Sequence, residues 1–280
     1  MKRIVTMQDI SCVGKCSLTA ALPVLSAMGL ETAVLPTAVL SSHTMFEHVS
    51  FFDLTDQIPS ILHAWKEEHF AFSAIYTGYL GSAKQISYAG DLMDQFGEDA
   101  LILVDPCMAD HGRLYRGFTM DFAEQMKQLC RKASIICPNL TEACLLLNIP
   151  YQESFSEEDL HAMLRKLADL CRGTAVLTGI STKPETIGAI AYSRSEDAFH
   201  IAMTEKEPQQ FHGTGDLWAS TFLGALCSGR RLQEAMQTAC VFVQKSIALT
   251  LQEPDHNLYG VNFEQALPDL IEMMQKKADN

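Results

Sequence analysis

Short runs rich in aliphatic and β-branched side chains alternate with longer stretches of helical period along this chain, and that alternation constrains its fold more than any other feature. Residues 2–7, 32–36, 73–77, 101–104, 134–137 and 175–178 read as strands, the clearest being the apolar run of ALILVDP that stops at Asp105 and Pro106. Helical spacing fills 17–28, 58–69, 82–96, 120–131 and 157–171, then 217–229, 232–250 and 263–277, and a helix carrying Glu142 follows Asn139. Residues 187–192 and 198–203 read as a hairpin. Strands separated by helices predict an α/β fold, a parallel sheet covered by helices. No repeat, low-complexity tract or proline-rich linker interrupts the pattern, so the expectation is one domain over residues 1–280. Ligands of such sheets bind beyond the carboxyl ends of the strands, where Asp9, Thr77, Asp105, Pro138 and Thr178 are expected.

Composition narrows the function classes. A formal charge of -13 with no block of Lys or Arg lacks the footprint of a nucleic-acid binder. A small phosphate ligand stays compatible with that charge, because amides at a helix start attract it locally. The opening MKRIVTMQDI has no signal-peptide core, and the longest apolar run, 217–227, is far short of a membrane span. The expectation is a cytoplasmic protein with no membrane partner. Nine cysteines scattered through apolar segments predict free thiols rather than disulfides.

Three motifs carry chemistry. In FHGTGDLWAS, residues 211–220, Gly213 and Gly215 allow backbone angles that let successive amides converge on an anion at a helix start. Asp216 falls in the first helical turn, where the dipole favours the ionised carboxylate and an alcohol can donate to it. The plainer reading is a capped helix after a turn. In LVDPCMAD, residues 103–110, Asp105 and Asp110 can hold a hydrated Mg²⁺ against phosphate oxygens, or Asp-Pro can simply end a strand. In CPNLTEA, residues 137–143, Asn139 and Glu142 stand at capping-box separation; alternatively Glu142 faces phosphates through a metal and its waters. His43, Thr44 and His48 of SSHTMFEH can bind polar edges of a small ring or decorate a loop. Two other matches fail. Gly14-Lys15-Cys16-Ser17 ends like a Walker A loop but has Asp9 where its first glycine belongs, and no G-x-G-x-x-G follows the first strand. Cys12 and Cys16 lack a second pair at zinc spacing.

The order of these pieces, VDPCMAD, CPNLTEA, AVLTG and FHGTGD, resembles the pyridoxal kinase family of the ribokinase superfamily. MQDI, LPTAVLSSHT and TGYLGS in the first half agree, and the likeness spans roughly residues 2–250. It implies a three-layer α/β/α fold with a mostly parallel central sheet, and ATP-dependent phosphorylation of the hydroxymethyl group of pyridoxal, pyridoxine or pyridoxamine. The implied base is Asp216, with Gly213, Thr214 and Gly215 as the anion hole. Asp105, Tyr115, Asn139, Glu142 and Thr178 would meet the nucleotide, and Asp105, Asp110 and Glu142 the Mg²⁺. Asp9, Ser11, His43, Thr44 and Tyr79 would line the ring pocket, with Asp216 at its hydroxymethyl end. A monovalent cation such as K⁺ and a homodimer belong to the same expectation. The sequence departs from the family at Ala109, where glycine is usual, and at Asp9, where serine is frequent. An acid there is similar to the hydroxymethylpyrimidine kinases, which gives an alternative substrate. A noncatalytic nucleotide-binding protein on the same fold is the alternative from another class.

Overall fold

The computed structural model describes residues 2–276. In chain order the elements are β1 (Arg3–Ser11), α1 (Leu18–Ala27), β2 (Glu31–Leu40), β3 (Phe51–Asp53), α2 (Ile58–Glu67), β4 (Ala74–Thr77), α3 (Ala83–Phe96), β5 (Leu101–Val104), β6 (Ala109–Asp110) and β7 (Arg113–Leu114). They continue with α4 (Met120–Cys130), β8 (Ile135–Ile136), α5 (Leu140–Leu147), α6 (Glu157–Leu170), β9 (Thr174–Ile180), β10 (Thr186–Ser193), β11 (Ala198–Glu205), α7 (Thr214–Cys227), α8 (Leu232–Leu251) and α9 (Phe263–Gln275). Lys277, the expected end of the last helix, lies outside the described residues.

Nine strands form one sheet in the order β11-β10-β9-β8-β5-β4-β1-β2-β3. The six from β9 to β2 run parallel, and β3, β10 and β11 close the edges antiparallel. Alternate side chains of each strand feed opposite cores. Ile75 and Val104 pack with α2 to α6, whereas Tyr76 and Leu103 pack with α1, α7, α8 and α9. Both faces are therefore dry, which is why the central strands read as continuous apolar runs rather than alternating ones. No helix among the described residues is long and apolar enough to cross a membrane.

The strand order turns back between β1 and β4, since β2 lies on one side of β1 and β4 on the other. Such a switch point opens a crevice at the carboxyl ends of the two strands. Here the structure corrects the strand limits. β1 continues to Ser11 and β2 to Leu40, with a register shift between Gln8 and Ile10 opposite Pro36. Pro36 has no N–H for the ladder, and the irregularity lets both strands run past it. Asp9 accordingly sits inside a strand, not beyond its end. Exposed β3 and the small β6-β7 ribbon carry no period that a sequence could announce.

Candidate active site

The turn before α7 is built around one backbone angle. Gly213 has φ 76° and occupies the cap position, and a Cβ there would collide with the carbonyl of Lys15. No side chain caps the helix, and the first ladder bond runs from the Leu217 N–H to the Gly213 carbonyl at 3.0 Å. The amides of Thr214, Gly215 and Asp216 therefore open outward with the positive end of the helix dipole behind them. Above Gly215 the space is empty: a Cβ would meet nothing within 4 Å. That is the cradle an anion requires. The Thr214 hydroxyl instead closes the turn, donating to the Phe211 carbonyl at 3.2 Å.

Asp216 stands half-buried beside this cradle. Burial pushes its carboxyl up to about 6, the backbone N–H of Ser17 draws it back, and the negative charge of Asp9 adds to the rise. The dipole alone would have lowered it, so desolvation wins over the helix start. The group remains ionised at neutral pH yet is basic enough to accept a proton from an alcohol.

On one side of Asp216 lie the residues expected to meet a ring. Asp9 is buried, and its carboxyl is raised by that burial against hydrogen bonds from the Ser17 and Ser11 hydroxyls, the latter at 3.5 Å. Tyr79, half-buried, is pushed up to about 12 by burial and by the charges of Asp9 and Cys107, and its ring stacks on Phe118 at 5.6 Å. Its loop is fixed by buried Gln85, which accepts from the Gly81 N–H at 2.7 Å and donates to Thr55 Oγ1 at 2.8 Å. His43 approaches His212, ring centroids 4.6 Å apart, and burial with that neighbour lowers it to about 4, so it is neutral. Its Nδ1 accepts from the Met45 N–H at 3.1 Å, leaving Nε2–H to donate. Thr44 is not brought into this group: it stands exposed on the loop.

On the other side lie the acids expected to meet phosphates. Asp105 ends β5, its N–H donating to the Thr77 carbonyl at 2.9 Å, and burial, Glu142 and Asp216 together hold its carboxyl well above the usual range. Glu142 is raised to about 7, chiefly by burial. Two acids of the expected metal set already have hydrogen-bond partners. Glu142 spends one oxygen on the Asn139 N–H at 2.9 Å and the other on the Met108 N–H at 3.0 Å. Asn139 completes the capping box, and its Nδ2 donates to the Ala109 carbonyl at 2.8 Å. Exposed Asp110 turns to the His111 N–H at 2.8 Å. Among the described residues no three acidic, His or Cys side chains converge as a ready metal cage. Asp105, with only the Cys107 N–H drawing it down, is the free carboxylate. Half-buried Asp105, raised by burial and then by Glu142, and buried Glu142 offer only oxygen and still suit Mg²⁺, which needs one or two carboxylates and keeps its waters. Burial raises the Tyr115 phenol, and Cys107, Glu142, Asp110 and Asp105 nearby add to the rise. Thr178 bridges to Asn139, its N–H donating to the Pro138 carbonyl at 3.1 Å.

Since Glu142 ties the start of α5 to the strand-exit segment, Glu142→Ala will lower unfolding free energy by about 3 kcal/mol, because it orphans buried N–H groups. Urea denaturation reads this directly. An unchanged midpoint would mean that water replaces the carboxylate.

Sequence reasoning missed three residues that the fold draws in: Ser17, Cys107 and Tyr76. The Tyr76 hydroxyl is buried without a partner and lies close enough to Asp216 and Asp105 to feel both charges. Only its place in the short run of β4 hinted at burial, and nothing hinted at those neighbours.

A parallel sheet covered on both faces, with an acid and free helix-start amides at its carboxyl edge, defines the ribokinase-like class of α/β proteins. The chain belongs to the phosphomethylpyrimidine kinase family, whose model matches residues 15–260. A structure from Bacteroides thetaiotaomicron, described as a candidate phosphomethylpyrimidine kinase, is 38% identical over 96% of this chain and 93% of its own, with TM-score 0.93. A second crystal form of that protein contains pyridoxal. Pyridoxal kinase from Lactobacillus plantarum is 30% identical over 98% of both chains, with TM-score 0.91. The pyridoxine/pyridoxal/pyridoxamine kinase of Bordetella avium is 27% identical over 267 residues, 88% of this chain and 85% of its own.

Proposed function

We propose that this protein phosphorylates the 5′-hydroxymethyl group of pyridoxal, pyridoxine or pyridoxamine with ATP, yielding the 5′-phosphate and ADP. The observation that carries the proposal is the placement of Asp216, raised to about 6 and set beside an amide cradle with open space above Gly215. The relatives named as vitamin B6 kinases support the substrate.

In this reading the alcohol oxygen bonds to the γ-phosphorus as the bond from phosphorus to the β,γ-bridging oxygen breaks. Asp216 orients the alcohol and receives its proton. The amides of Thr214, Gly215 and Asp216 meet the charge spread over the equatorial oxygens, the main task left to protein in a loose transition state. Asp105 would hold Mg²⁺, with Glu142 reaching it through water, and the metal would supply charge neutralisation at the phosphates. Tyr115 and Thr178 flank the nucleotide, while Asn139 shapes the loop beneath it. Asp9, Ser11, His43 and Tyr79 line the ring pocket. One kinase domain over 1–280, a homodimer and a cytoplasmic location belong to the same reading.

A second reading, phosphorylation of hydroxymethylpyrimidine, is favoured by the matching family's description and by buried Asp9. ATP consumption measured with the purified protein on pyridoxal, pyridoxine, pyridoxamine and hydroxymethylpyrimidine separates them. Turnover is expected on the three pyridine alcohols above that on the pyrimidine. The reverse ranking overturns the substrate, and ATP binding without turnover on any of the four overturns the enzyme.

A further inference from the structure

An apolar residue just before a helix cap commonly packs on the first turns of its helix and fixes the angle at which the chain enters. Phe118 has that place. Thr119 caps α4, its hydroxyl accepting from the Phe122 N–H at 3.4 Å, and the Phe118 ring lies on the Phe122 ring with centroids 3.9 Å apart and planes 8° from parallel. Phe122 is buried in the core beneath α4, so this contact anchors Phe118. The helix start accounts for one partner of half-buried Phe118. It does not account for the second.

That second partner comes from another strand exit. Tyr79, two residues after β4, stacks on Phe118 with centroids 5.6 Å apart and planes 26° from parallel. Three rings, Tyr79, Phe118 and Phe122, thus run in series from the wall of the ring pocket to the core. The backbone around Tyr79 is fixed on both sides. Gly78 lies against the Gln8 side chain, where a Cβ would meet Cδ at 2.9 Å, and the Gly81 N–H donates to Gln85 Oε1 at 2.7 Å. With its backbone held, the ring is the part left free to turn, and Phe118 is what it rests on.

Phe118 itself rides on a segment of the phosphate side. Its N–H donates to the Tyr115 carbonyl at 3.1 Å, the Tyr115 N–H to the Met108 carbonyl at 2.9 Å, and the Met108 N–H to Glu142 Oε1 at 3.0 Å. Gly117, with φ 93°, supplies the left-handed angle of this tight return. We propose that Phe118 is a positioning residue that braces the Tyr79 ring, setting the wall met by the substrate ring from a segment tied to the nucleotide side. The inference rests on the kinase reading above and deepens it by a residue that acts through Tyr79. Backbone bonds of the segment survive a change of this side chain, so the effect falls on vitamin binding.

The test is a double-mutant cycle comparing wild type with Phe118→Leu, Tyr79→Leu and both changes together, with Phe118→Tyr as the rescue. Leucine keeps apolar bulk at the helix start but offers no ring face. Phe118→Leu is expected to raise KM for pyridoxal about fivefold, the scale of one lost aromatic pair, with KM for ATP unmoved. Phe118→Tyr keeps the ring and should hold the wild-type value. In the Tyr79→Leu background Phe118→Leu should leave pyridoxal KM unchanged, because no ring remains to brace. A merely structural role predicts the same factor in both backgrounds, with both KM values following the melting temperature, and that result overturns the proposal. So does a pyridoxal KM that Phe118→Leu alone leaves unchanged. If leucine prevents folding, Phe118→Met, which also lacks a ring, takes its place in the cycle. Absence of wild-type turnover on every alcohol identifies failure of the kinase reading itself. Calorimetric titration with pyridoxal on the same proteins then still reads Phe118: a Kd about fivefold weaker only where Tyr79 is present supports its role. An equal change in both backgrounds, no change in either, or wild-type protein that does not bind pyridoxal overturns it.

Discussion

Asp216→Ala will lose at least about a hundredfold in kcat with pyridoxal, the usual scale of an absent general base. Asp216→Asn, which keeps shape and a hydrogen-bonding oxygen but cannot take the proton, should fall by a similar factor. The protein itself should not suffer. Burial holds this carboxyl at about 6, above the ordinary value, so its ionised form opposes folding at neutral pH rather than supporting it. For an acid raised on folding, the favourable contribution belongs to the protonated form at low pH and fades as pH rises through 6. Either variant should therefore melt at or above wild type while turnover collapses, a separation expected of active-site groups. Wild-type kcat should climb as pH rises through about 6 and then level, because only the ionised carboxylate accepts the proton. The variants should lack that limb. Near-normal turnover in Asp216→Ala would remove the residue from the role of base.

How this site was and was not legible follows from the range of the interactions that build it. Leu101–Val104 and Ala74–Thr77 announce themselves because both faces of the sheet are dry and strand propensity meets no competing signal. The glycine turn was legible for a local reason too, since Gly213 serves one angle and one close approach. At Asn139 and Glu142 the capping box is present, and it occupies both side chains that sequence also offered to nucleotide and metal. Spacing could not say that both would be engaged in the cap. Asp110 stands exposed beside a turn in which His111 and Gly112 both take positive φ, 49° and 75°. Ser17 was invisible because positive φ in serine has no sequence signature, and its partner Asp216 lies 199 residues away by number. Asp9 was assigned to a strand end because the shift that carries β1 past Pro36 is a property of pairing, not of either strand alone.

Gly215→Ala will separate the phosphate cradle from the fold. Gly213 and Gly215 look equivalent in the sequence, but the structure gives them opposite burdens. At Gly213 φ is 76° and a Cβ would meet the Lys15 carbonyl, so Gly213→Ala should cost at least about 2 kcal/mol through strain and collision. At Gly215 no positive φ is needed and a Cβ meets nothing within 4 Å. Alanine there should stabilise the first turn of α7 by up to about 1 kcal/mol, since a glycine in a helix is the less favourable residue. The added methyl nevertheless fills the space through which phosphate oxygens must approach the amides to about 3 Å. Losing one donor to developing charge typically costs about a hundredfold in kcat. Gly215→Ala is therefore expected to melt higher than wild type and to turn over about a hundredfold slower, with pyridoxal binding intact. Full activity in that variant would mean the moving phosphoryl group never meets these amides, whatever Asp216 does. Loss of activity in Gly213→Ala carries no such information, because there the turn itself gives way.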